Sequence, residues 1–466
     1  MGLTVAKRIP SRAVVFFGLA GVLVIVGACT GGALESERRA RGDLEEVAGR
    51  FRPSGVKPDL LTLAPDSPID DYLRFALLNS PRVEAAYFDW AASVERITDA
   101  RSLPDPRLTF ELDIAEVVMS AKAGLMMDLP GPGKLRAAGN LAAAESTALY
   151  AVFEGEVLRA AYALKSAWYR ALFLEDNLRA QRENLLLLSD LEQLARQQNA
   201  AGRASLQDVL RAQIEQEQLR TRIANLEDSR STLVAELKAA LGLGVREADP
   251  PLPARFVPSP GLPARDAILE IALRRNPGIR RMAADVRRAE AQVELARTAG
   301  VPDFAAGIEA DFKDNPATWK PSIGMTLPVW RDKIAARIAA AQGEKRAAEA
   351  RLTAEQVQFA AELTATLYAW RESLRNVELL EERLLPRARQ SFDAARTGYA
   401  NGRSGFLDVV DAYRQVLAFD VALIEARTRR ELALASLSLL IAGVPPPGAP
   451  VLAPESNPDP PKEFAR

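Results

Sequence analysis

The sequence predicts a mainly α-helical protein with a small β part, built from two copies of one repeat. Three observations support this prediction. The chain is poor in aromatic residues and rich in Ala, Leu, Glu, Gln and Arg, a composition typical of long helices. A Gly-Arg turn between two long helical patterns occurs twice, at Gly202-Arg203 and Gly402-Arg403. In each copy the hydrophobic spacing also changes once from a helical period to a period of two, which indicates strands.

Composition excludes several classes of function. The 466 residues include 60 basic and 61 acidic side chains, so no excess of positive charge points to a nucleic-acid partner. The chain has no histidine, and its one cysteine is Cys29. Histidine acid-base chemistry, thiolate metal sites and internal disulfides are therefore ruled out. We expect no enzyme activity, no cofactor and no metal site.

The N-terminus has the pattern of a bacterial export signal. Three basic residues precede an apolar run over 13–26, which is too short for a comfortable membrane span and ends in small residues. Residues 1–28 are therefore predicted to be a signal peptide. The Val-Gly-Ala-Cys sequence ending at Cys29 resembles a lipobox, which predicts acylation of Cys29; an ordinary signal with an incidental cysteine is the alternative. Residues 29–68 are charged and then Pro-containing, and we expect them to form a lipid-anchored tether.

The remaining chain is divided by its prolines and its glycine turns into two repeats. The first repeat, 69–249, is predicted as helix, β-hairpin 104–130, long helix, tip 199–206 and helix; the second, 266–443, as helix, β-hairpin 302–328, long helix, tip 399–406 and helix. A Pro-rich linker over 250–265 joins them, and the Pro-rich tail over 444–466 is predicted to be disordered. Pro386 should kink or locally unwind the second long helix.

Each hairpin has one apolar and one mostly polar face. In the first, Leu108, Phe110 and Leu112 alternate with polar residues, and Ile308 belongs to the same pattern in the second. Such a hairpin is either half-buried in a soluble protein or a tilted bilayer crossing with its apolar side toward lipid. In a membrane, four strands would leave unpaired edges, so one chain could not close a barrel. An open lumen needs more than about eight strands, and three copies would supply twelve.

The ordered set of motifs, present twice, resembles the TolC-like outer-membrane efflux factors over 69–443. The motifs that carry the resemblance are Pro104-Asp105-Pro106, Leu129-Pro130-Gly131-Pro132-Gly133-Lys134 and Pro302-Asp303-Phe304. The resemblance implies a trimeric periplasmic α-helical barrel, capped by a 12-stranded transmembrane β-barrel. It also implies the exit duct of a tripartite efflux system for drugs or metal cations. Its partners would be two further copies, a periplasmic adaptor, a proton-driven inner-membrane pump and outer-membrane lipid.

The resemblance also implies roles for residues at the two tips. The adaptor would contact Gly202, Arg203, Ser205, Gly402, Arg403 and Ser404, although loop geometry alone could explain the glycines. Asp408 and Asp411, three apart on one helix face, would line the periplasmic aperture together with Arg403. A solvated helix face is the alternative. In the first repeat Asp208 is kept, but Arg211 replaces the second acid.

A function of another class remains open at this point. The helical stripes and the lipidation signal also suit a periplasmic coiled-coil scaffold lipoprotein with soluble hairpins and no pore. Heat-modifiable, detergent-dependent trimers in the outer membrane would favour the channel over the scaffold.

Overall fold

A computed structural model describes residues 34–114, 118–253, 273–313 and 316–440. Cys29, the predicted signal peptide and the predicted tail lie outside these residues, as does most of the predicted linker. The chain divides into two compact units: one comprises residues up to 44, 91–147 and 287–346, and the other 45–90, 148–286 and residues from 347 onward. The first unit contains the sheet, and the second contains the two tips.

The described elements repeat in the same order in the two halves. After α1 (Glu35–Phe51), the first half contains α2 (Ile69–Asn79), α3 (Pro81–Arg101), β1 (Arg107–Ile114), β2 (Val118–Leu129), α4 (Lys134–Ala200) and α5 (Leu206–Ala240). The second half contains α6 (Pro277–Arg297), β3 (Phe304–Asp311), β4 (Thr318–Met325), α7 (Arg331–Glu378), α8 (Leu385–Ala400) and α9 (Phe406–Leu440). The predicted fold class, mainly helical with a small sheet, is confirmed. In the part of the chain that is described, no helix combines the length and hydropathy needed to cross a membrane.

The four described strands form one antiparallel sheet in the order β1-β2-β3-β4. Its register places like residues in rows that cross all four strands. Two successive rows are Leu108, Leu125, Ile308 and Pro321, followed by Thr109, Gly124, Glu309 and Lys320. The apolar row lies on one face and the polar row on the other, because successive side chains in a strand point to opposite faces. The alternation within each hairpin therefore becomes a single apolar face for the whole sheet.

The side chains on the two faces of the sheet differ in their contacts. On the polar face, Lys122 forms an ion pair with Glu111 and Lys320 with Asp311, each at 3.0 Å. On the apolar face, large side chains are exposed, among them Leu108, Phe110, Leu112, Ile308, Trp319 and Ile323. A contiguous apolar surface of this kind marks an interaction with lipid or with protein.

Residues 35–51 correct one prediction. The sequence led us to expect a tether over 29–68, but Glu35–Phe51 forms the helix α1. The buried Glu37 carboxylate accepts hydrogen bonds from Arg101 Nε at 2.5 Å and Thr98 Oγ1 at 2.7 Å, both on α3. Phe51 at the other end of α1 is buried, with its ring 5.1 Å from that of Tyr87. The many charged residues suggested a solvated tether, whereas Glu37 and Arg41 form hydrogen bonds with side chains of α3.

Asn79 of the Asn-Ser-Pro sequence in the first repeat and Asn276 of the Asn-Pro pair in the second have matching contacts. Asn79 precedes the break between α2 and α3, and its side-chain amide donates to the carbonyl of Leu241 at 2.8 Å. Asn276 directly precedes α6 and donates to the carbonyl of Leu440 at 3.0 Å. Each asparagine thus satisfies a carbonyl at the C-terminal end of the helix that follows a tip, where intrahelical donors are lacking. The duplication seen in the sequence is therefore also a duplication of contacts.

Each hairpin ends in a Leu-Pro elbow, at Leu129-Pro130 in the first repeat and at Leu327-Pro328 in the second. The helix between the second elbow and the second tip is interrupted. A π-helical turn, Leu379–Leu384, separates α7 from α8, and the N–H of Leu385 donates to the carbonyl of Leu380, five residues earlier. Pro386 comes next; it has no N–H, and its ring would clash with the carbonyl four residues before it in a regular α-helix. The wider turn accommodates the proline. The local unwinding predicted near Pro386 is this π-helical turn.

Candidate functional site

The two tips have the same backbone geometry. Gly202 and Gly402 follow the ends of α4 and α8 with φ of +71° and +70°. The N–H groups of Arg203 and Arg403 each donate to the carbonyl five residues earlier at 2.8 Å. This is the Schellman helix ending, in which a residue in the left-handed conformation reverses the chain. Glycine is favoured at both turns because other residues are strained at such φ values.

At each tip, an aspartate of the following helix accepts a hydrogen bond from the backbone of the turn. The carboxylate of Asp208 accepts the backbone N–H of Ser205 at 3.4 Å, and that of Asp408 accepts the N–H of Gly405 at 3.0 Å. Both aspartates stand in the first turn of the next helix, where a carboxylate is also favoured by the helix dipole. Asp408 therefore has a structural role within the chain.

The residues predicted to contact an adaptor are mostly at the surface. Gly202, Arg203, Ser205, Gly402 and Arg403 are exposed. Ser404 is half-buried, and its hydroxyl donates to the carbonyl of Ala395 at 3.1 Å. The tip surface is thus a pair of exposed Gly-Arg turns on firmly capped helices.

The predicted aperture residues Asp408, Asp411 and Arg403 are exposed. Asp411 forms an ion pair with Arg414 at 3.6 Å, and Arg414 also donates to Glu215 on α5. Within the ranges that the structure covers, Arg403 forms no ion pair. Sequence reasoning missed Arg414, although its spacing of three from Asp411 on one helix is a recognisable signal.

Tyr399 shows how the second tip packs against the first. Burial, together with the negative charge of Asp208 in the other repeat, raises the pKa of Tyr399 to about 12. Its ring lies 5.2 Å from that of Phe406. Nearby, the side-chain amide of Gln198 donates to the carbonyl of Ala400 at 3.2 Å. The two tips are therefore joined by buried contacts within one chain.

The elbow beside the sheet is held by one carboxylate. Asp303 accepts the backbone N–H of Gly131 at 2.8 Å and the ammonium group of Lys134 at 2.7 Å. The Lys134 hydrogen bond, and then that from Gly131, lower the pKa of Asp303. A Cβ atom at position 131 would lie 2.2 Å from the carbonyl oxygen of Pro302, so only glycine fits there. The Leu-Pro elbow of the first repeat is thus bonded to the Pro-Asp motif of the second.

Comparison with known proteins identifies the family. The model of the outer membrane efflux protein family matches residues 73–243 and 268–443, which together cover most of the chain. The chain belongs to this family. The protein is therefore an outer-membrane efflux channel that extends into the periplasm, and its family consists of channels rather than enzymes.

Individual relatives agree with this membership. The cobalt-zinc-cadmium resistance protein CzcC of Cupriavidus metallidurans is 24% identical over 327 residues, which is 68% of this chain and 76% of CzcC. The solved structure of CusC has a TM-score of 0.71 at 16% identity, covering 83% of this chain and 96% of CusC. The open state of the Neisseria gonorrhoeae channel MtrE has a TM-score of 0.68 at 18% identity, with coverage of 83% and 96%. At these identities the structural matches establish the fold.

Proposed function

We propose that three copies of this chain form the exit duct of a tripartite efflux system, with a twelve-stranded barrel in the outer membrane. The observation that carries the proposal is the sheet itself. Among the strands that the structure describes, the outer strands β1 and β4 each have one edge without a neighbour, and the apolar face of the sheet is exposed. In hydrocarbon, each unpaired backbone group costs several kcal/mol, so both edges must find strands of other copies.

The size of the lumen depends on the number of copies, because each copy supplies four strands. Two copies would give eight strands, and barrels of about that size are filled by their own side chains. Three copies give twelve strands and leave room for an aqueous path lined by the polar face. That face holds Glu111, Lys122, Asp311 and Lys320 in ion pairs, which suits a water-filled interior.

The long helices supply the periplasmic part of the duct. α4 has 67 residues, which corresponds to roughly 100 Å at about 1.5 Å per residue. The tips at Gly202-Arg203 and Gly402-Arg403 would meet a periplasmic adaptor, with Ser205 and Ser404 beside them. The adaptor would connect the duct to a proton-driven inner-membrane pump. Acylation of Cys29 would add a lipid anchor, and mass spectrometry of the mature N-terminus tests it directly.

The aperture of the duct would be lined by Asp408 and Asp411. In a trimer these residues bring six carboxylates to one axis, which concentrates cations and repels anions. Arg414, already paired with Asp411 and Glu215, and Arg403 would hold the closed state. Docking of the adaptor on the tips would offer these cations other partners.

Divalent metal cations are the substrate class that we propose. The support is the relative CzcC, a cobalt-zinc-cadmium resistance protein, together with the acidic aperture. The test is a deletion strain of the source organism, grown with zinc, cobalt or cadmium salts and, in parallel, with dyes, detergents and antibiotics. We expect loss of metal tolerance and its return with the wild-type gene. Sensitivity to drugs alone would reassign the substrate.

A measurement on the purified protein separates the duct from a pore-free scaffold. Heat-modifiable trimers that conduct ions in planar bilayers are expected for the duct. A detergent-independent, soluble coiled coil without conductance would contradict the proposal.

A further inference from the structure

The elbow between β4 and α7 carries residues that the first elbow lacks. The two Leu-Pro pairs align with an offset of 198 residues, from 130 to 328, which places Pro132 and Gly133 opposite Trp330 and Arg331. The first repeat therefore changes from strand to helix without a tryptophan or an arginine at these positions. Since the elbow can form without this pair, we looked for a role of Trp330 and Arg331 beyond the elbow itself.

The apolar surface of the sheet extends through this elbow to the start of α7. Leu327 and Val329 continue the alternate apolar positions of β4 and are 65% and 62% exposed. Trp330, the next residue, is 74% exposed. A contiguous apolar patch of this kind marks a contact with lipid or with protein. The patch ends at Arg331, so a charged surface follows directly on an apolar one.

The spacing of two exposed tryptophans puts Trp330 at a membrane boundary. Trp319, near the start of β4, is 53% exposed, and ten residues separate it from Trp330. A tilted strand crosses the hydrocarbon core in about 9–11 residues, and aromatic residues mark both interfaces of membrane barrels. In the proposed duct α7 continues from Trp330 into the periplasm. Trp330 therefore lies at the periplasmic interface of the outer membrane, next to the leaflet that consists of phospholipid.

The cations of this elbow have no counter-ion in the described part of the chain. Arg331 and Lys333 are exposed, and neither side chain forms a hydrogen bond or an ion pair with the described residues. In the first elbow, by contrast, Lys134 pairs with Asp303 at 2.7 Å. Both cations stand in the first turn of α7, where the helix dipole favours negative groups. Asp332 supplies one negative charge, so the turn keeps a net positive charge that an anion would neutralise.

We infer that Trp330, Arg331 and Lys333 form a binding site for an anionic phospholipid of the periplasmic leaflet. The two cations hold the phosphodiester group, and the acyl chains lie along the apolar face of the sheet. The three residues, together with Val329 and Asp332, line an open cavity of about 530 Å³. The inference rests on the proposed membrane barrel and names a lipid that the barrel holds.

Charge and order along the chain favour this occupant over others. A guanidinium group and an ammonium group both bind phosphate oxygens through charge-assisted hydrogen bonds, and basic residues beside a membrane attract anionic lipid. Among the described residues, the backbone N–H groups of Asp332 and Lys333 also have no acceptor, so they can donate to the same group. The apolar patch precedes the cations, which is the order in which a phospholipid presents its acyl chains and its phosphate.

Quenching of tryptophan fluorescence by brominated lipid tests the site on the full-length protein. The protein is reconstituted in phosphatidylcholine vesicles that contain rising fractions of phosphatidylglycerol with brominated acyl chains. A parallel series contains brominated phosphatidylcholine. The part of the quenching that disappears in Trp330→Phe reports on this position. We expect half-maximal quenching of Trp330 at a several-fold lower fraction of brominated phosphatidylglycerol than of brominated phosphatidylcholine.

Two charge variants show whether the cations cause the preference. Arg331→Gln with Lys333→Gln should abolish it, while Trp330 is still quenched by both lipids. Arg346→Gln with Arg351→Gln is the matched control, because it removes two exposed cations from α7 at 15 and 20 residues beyond Arg331; it should keep the preference. Phosphatidylglycerol should raise the thermal midpoint of the wild-type protein and of the control, but not that of Arg331→Gln with Lys333→Gln. In pure phosphatidylcholine the three midpoints should agree.

Each contrary outcome has a separate meaning. If both lipids quench Trp330 of the wild-type protein equally, or if Arg331→Gln with Lys333→Gln keeps the preference, the inference is overturned and the proposed duct stands. If that double variant dissociates into monomers in detergent without phospholipid, the cations serve the contact between copies, with Asp105 of a neighbouring copy as a counter-ion, and the inference is likewise overturned. If the wild-type protein does not insert into vesicles and neither lipid quenches Trp330, the proposed function itself fails.

Discussion

Placing an arginine on the apolar face of the sheet tests whether that face contacts lipid. Phe110 is the fourth of the eight residues of β1, and its side chain is 73% exposed. An arginine near the middle of a bilayer costs about 2–4 kcal/mol in a barrel strand. Since about 1.4 kcal/mol corresponds to a factor of ten, Phe110→Arg should lower the ratio of inserted to uninserted chain by roughly 30-fold to 800-fold.

Thr109→Arg is the matched control, one residue away and on the other face. It lies on the polar side of the sheet, the side that also carries Glu111 and Lys122, so the guanidinium group would meet water and a carboxylate. Insertion is measured as heat-modifiable trimer in isolated outer membranes and as the urea midpoint in lipid vesicles. We expect a large loss for Phe110→Arg and a small one for Thr109→Arg. Equal tolerance of both variants would refute a lipid-facing sheet and support soluble hairpins.

Three further variants test the elbow, the helix ends and the aperture. Asp303→Asn should lower the thermal midpoint at pH 7. Because Lys134 lowers the pKa of Asp303 in the folded state, the ionised carboxylate favours folding above the ordinary Asp pKa of about 3.9. That contribution disappears as the pH falls through the lowered pKa, so the two proteins should converge in acid. Asn276→Ala should cost about 1–3 kcal/mol in urea unfolding, because a carbonyl at the end of α9 loses its donor. Asp408→Asn with Asp411→Asn should lower cation selectivity and raise conductance in planar bilayers, while the amide oxygen at position 408 can still cap the helix.

The repeats provide controls for these variants. Asp105 is the counterpart of Asp303 and is exposed, so Asp105→Asn should leave the midpoint and its pH dependence nearly unchanged. Asn79→Ala should show a loss comparable to that of Asn276→Ala, since the two amides make equivalent bonds. Asp208→Asn should change selectivity less than the double variant. If the double variant keeps wild-type conductance and selectivity, the two acids belong to a solvated helix face and the gate lies elsewhere.

Local sequence signals predicted the elements, because each has a local physical cause. Glycine at 202 and 402 supplies the positive φ of the tips, and strict alternation around Phe110 marks a strand with two unlike faces. Pro386 predicted a break in its helix. These features depend on residues a few positions apart, so the sequence shows them directly.

Contacts between distant residues could not be predicted in the same way. The bond from Gly131 to Asp303 joins residues separated by 172 positions, and neither motif alone indicates its partner. The sequence predicted a tether at α1 because the polar residues of this segment outnumber its apolar ones. The burial of Glu37 is favourable only because Thr98 and Arg101 of α3 donate hydrogen bonds to it. The bond from Arg414 to Glu215 could not be predicted for the same reason, since Glu215 lies 199 positions away in the other repeat; only the pair of Arg414 with Asp411 has a local signal.

The π-helical turn before Pro386 has a consequence for the angular phase of the second long helix. Between the Leu-Pro elbow and the tip glycine, the second repeat has two more residues than the first, 328 to 402 against 130 to 202. In a regular α-helix each added residue rotates everything beyond it by about 100°. In a π-helical turn the hydrogen bonds run to the fifth residue back, so one turn contains more residues than in an α-helix. An inserted residue in such a turn therefore rotates the helix beyond it by less. The π-helical turn thereby helps α8 to reach the second tip with the side of Phe392 and Tyr399 turned inward, where both are buried.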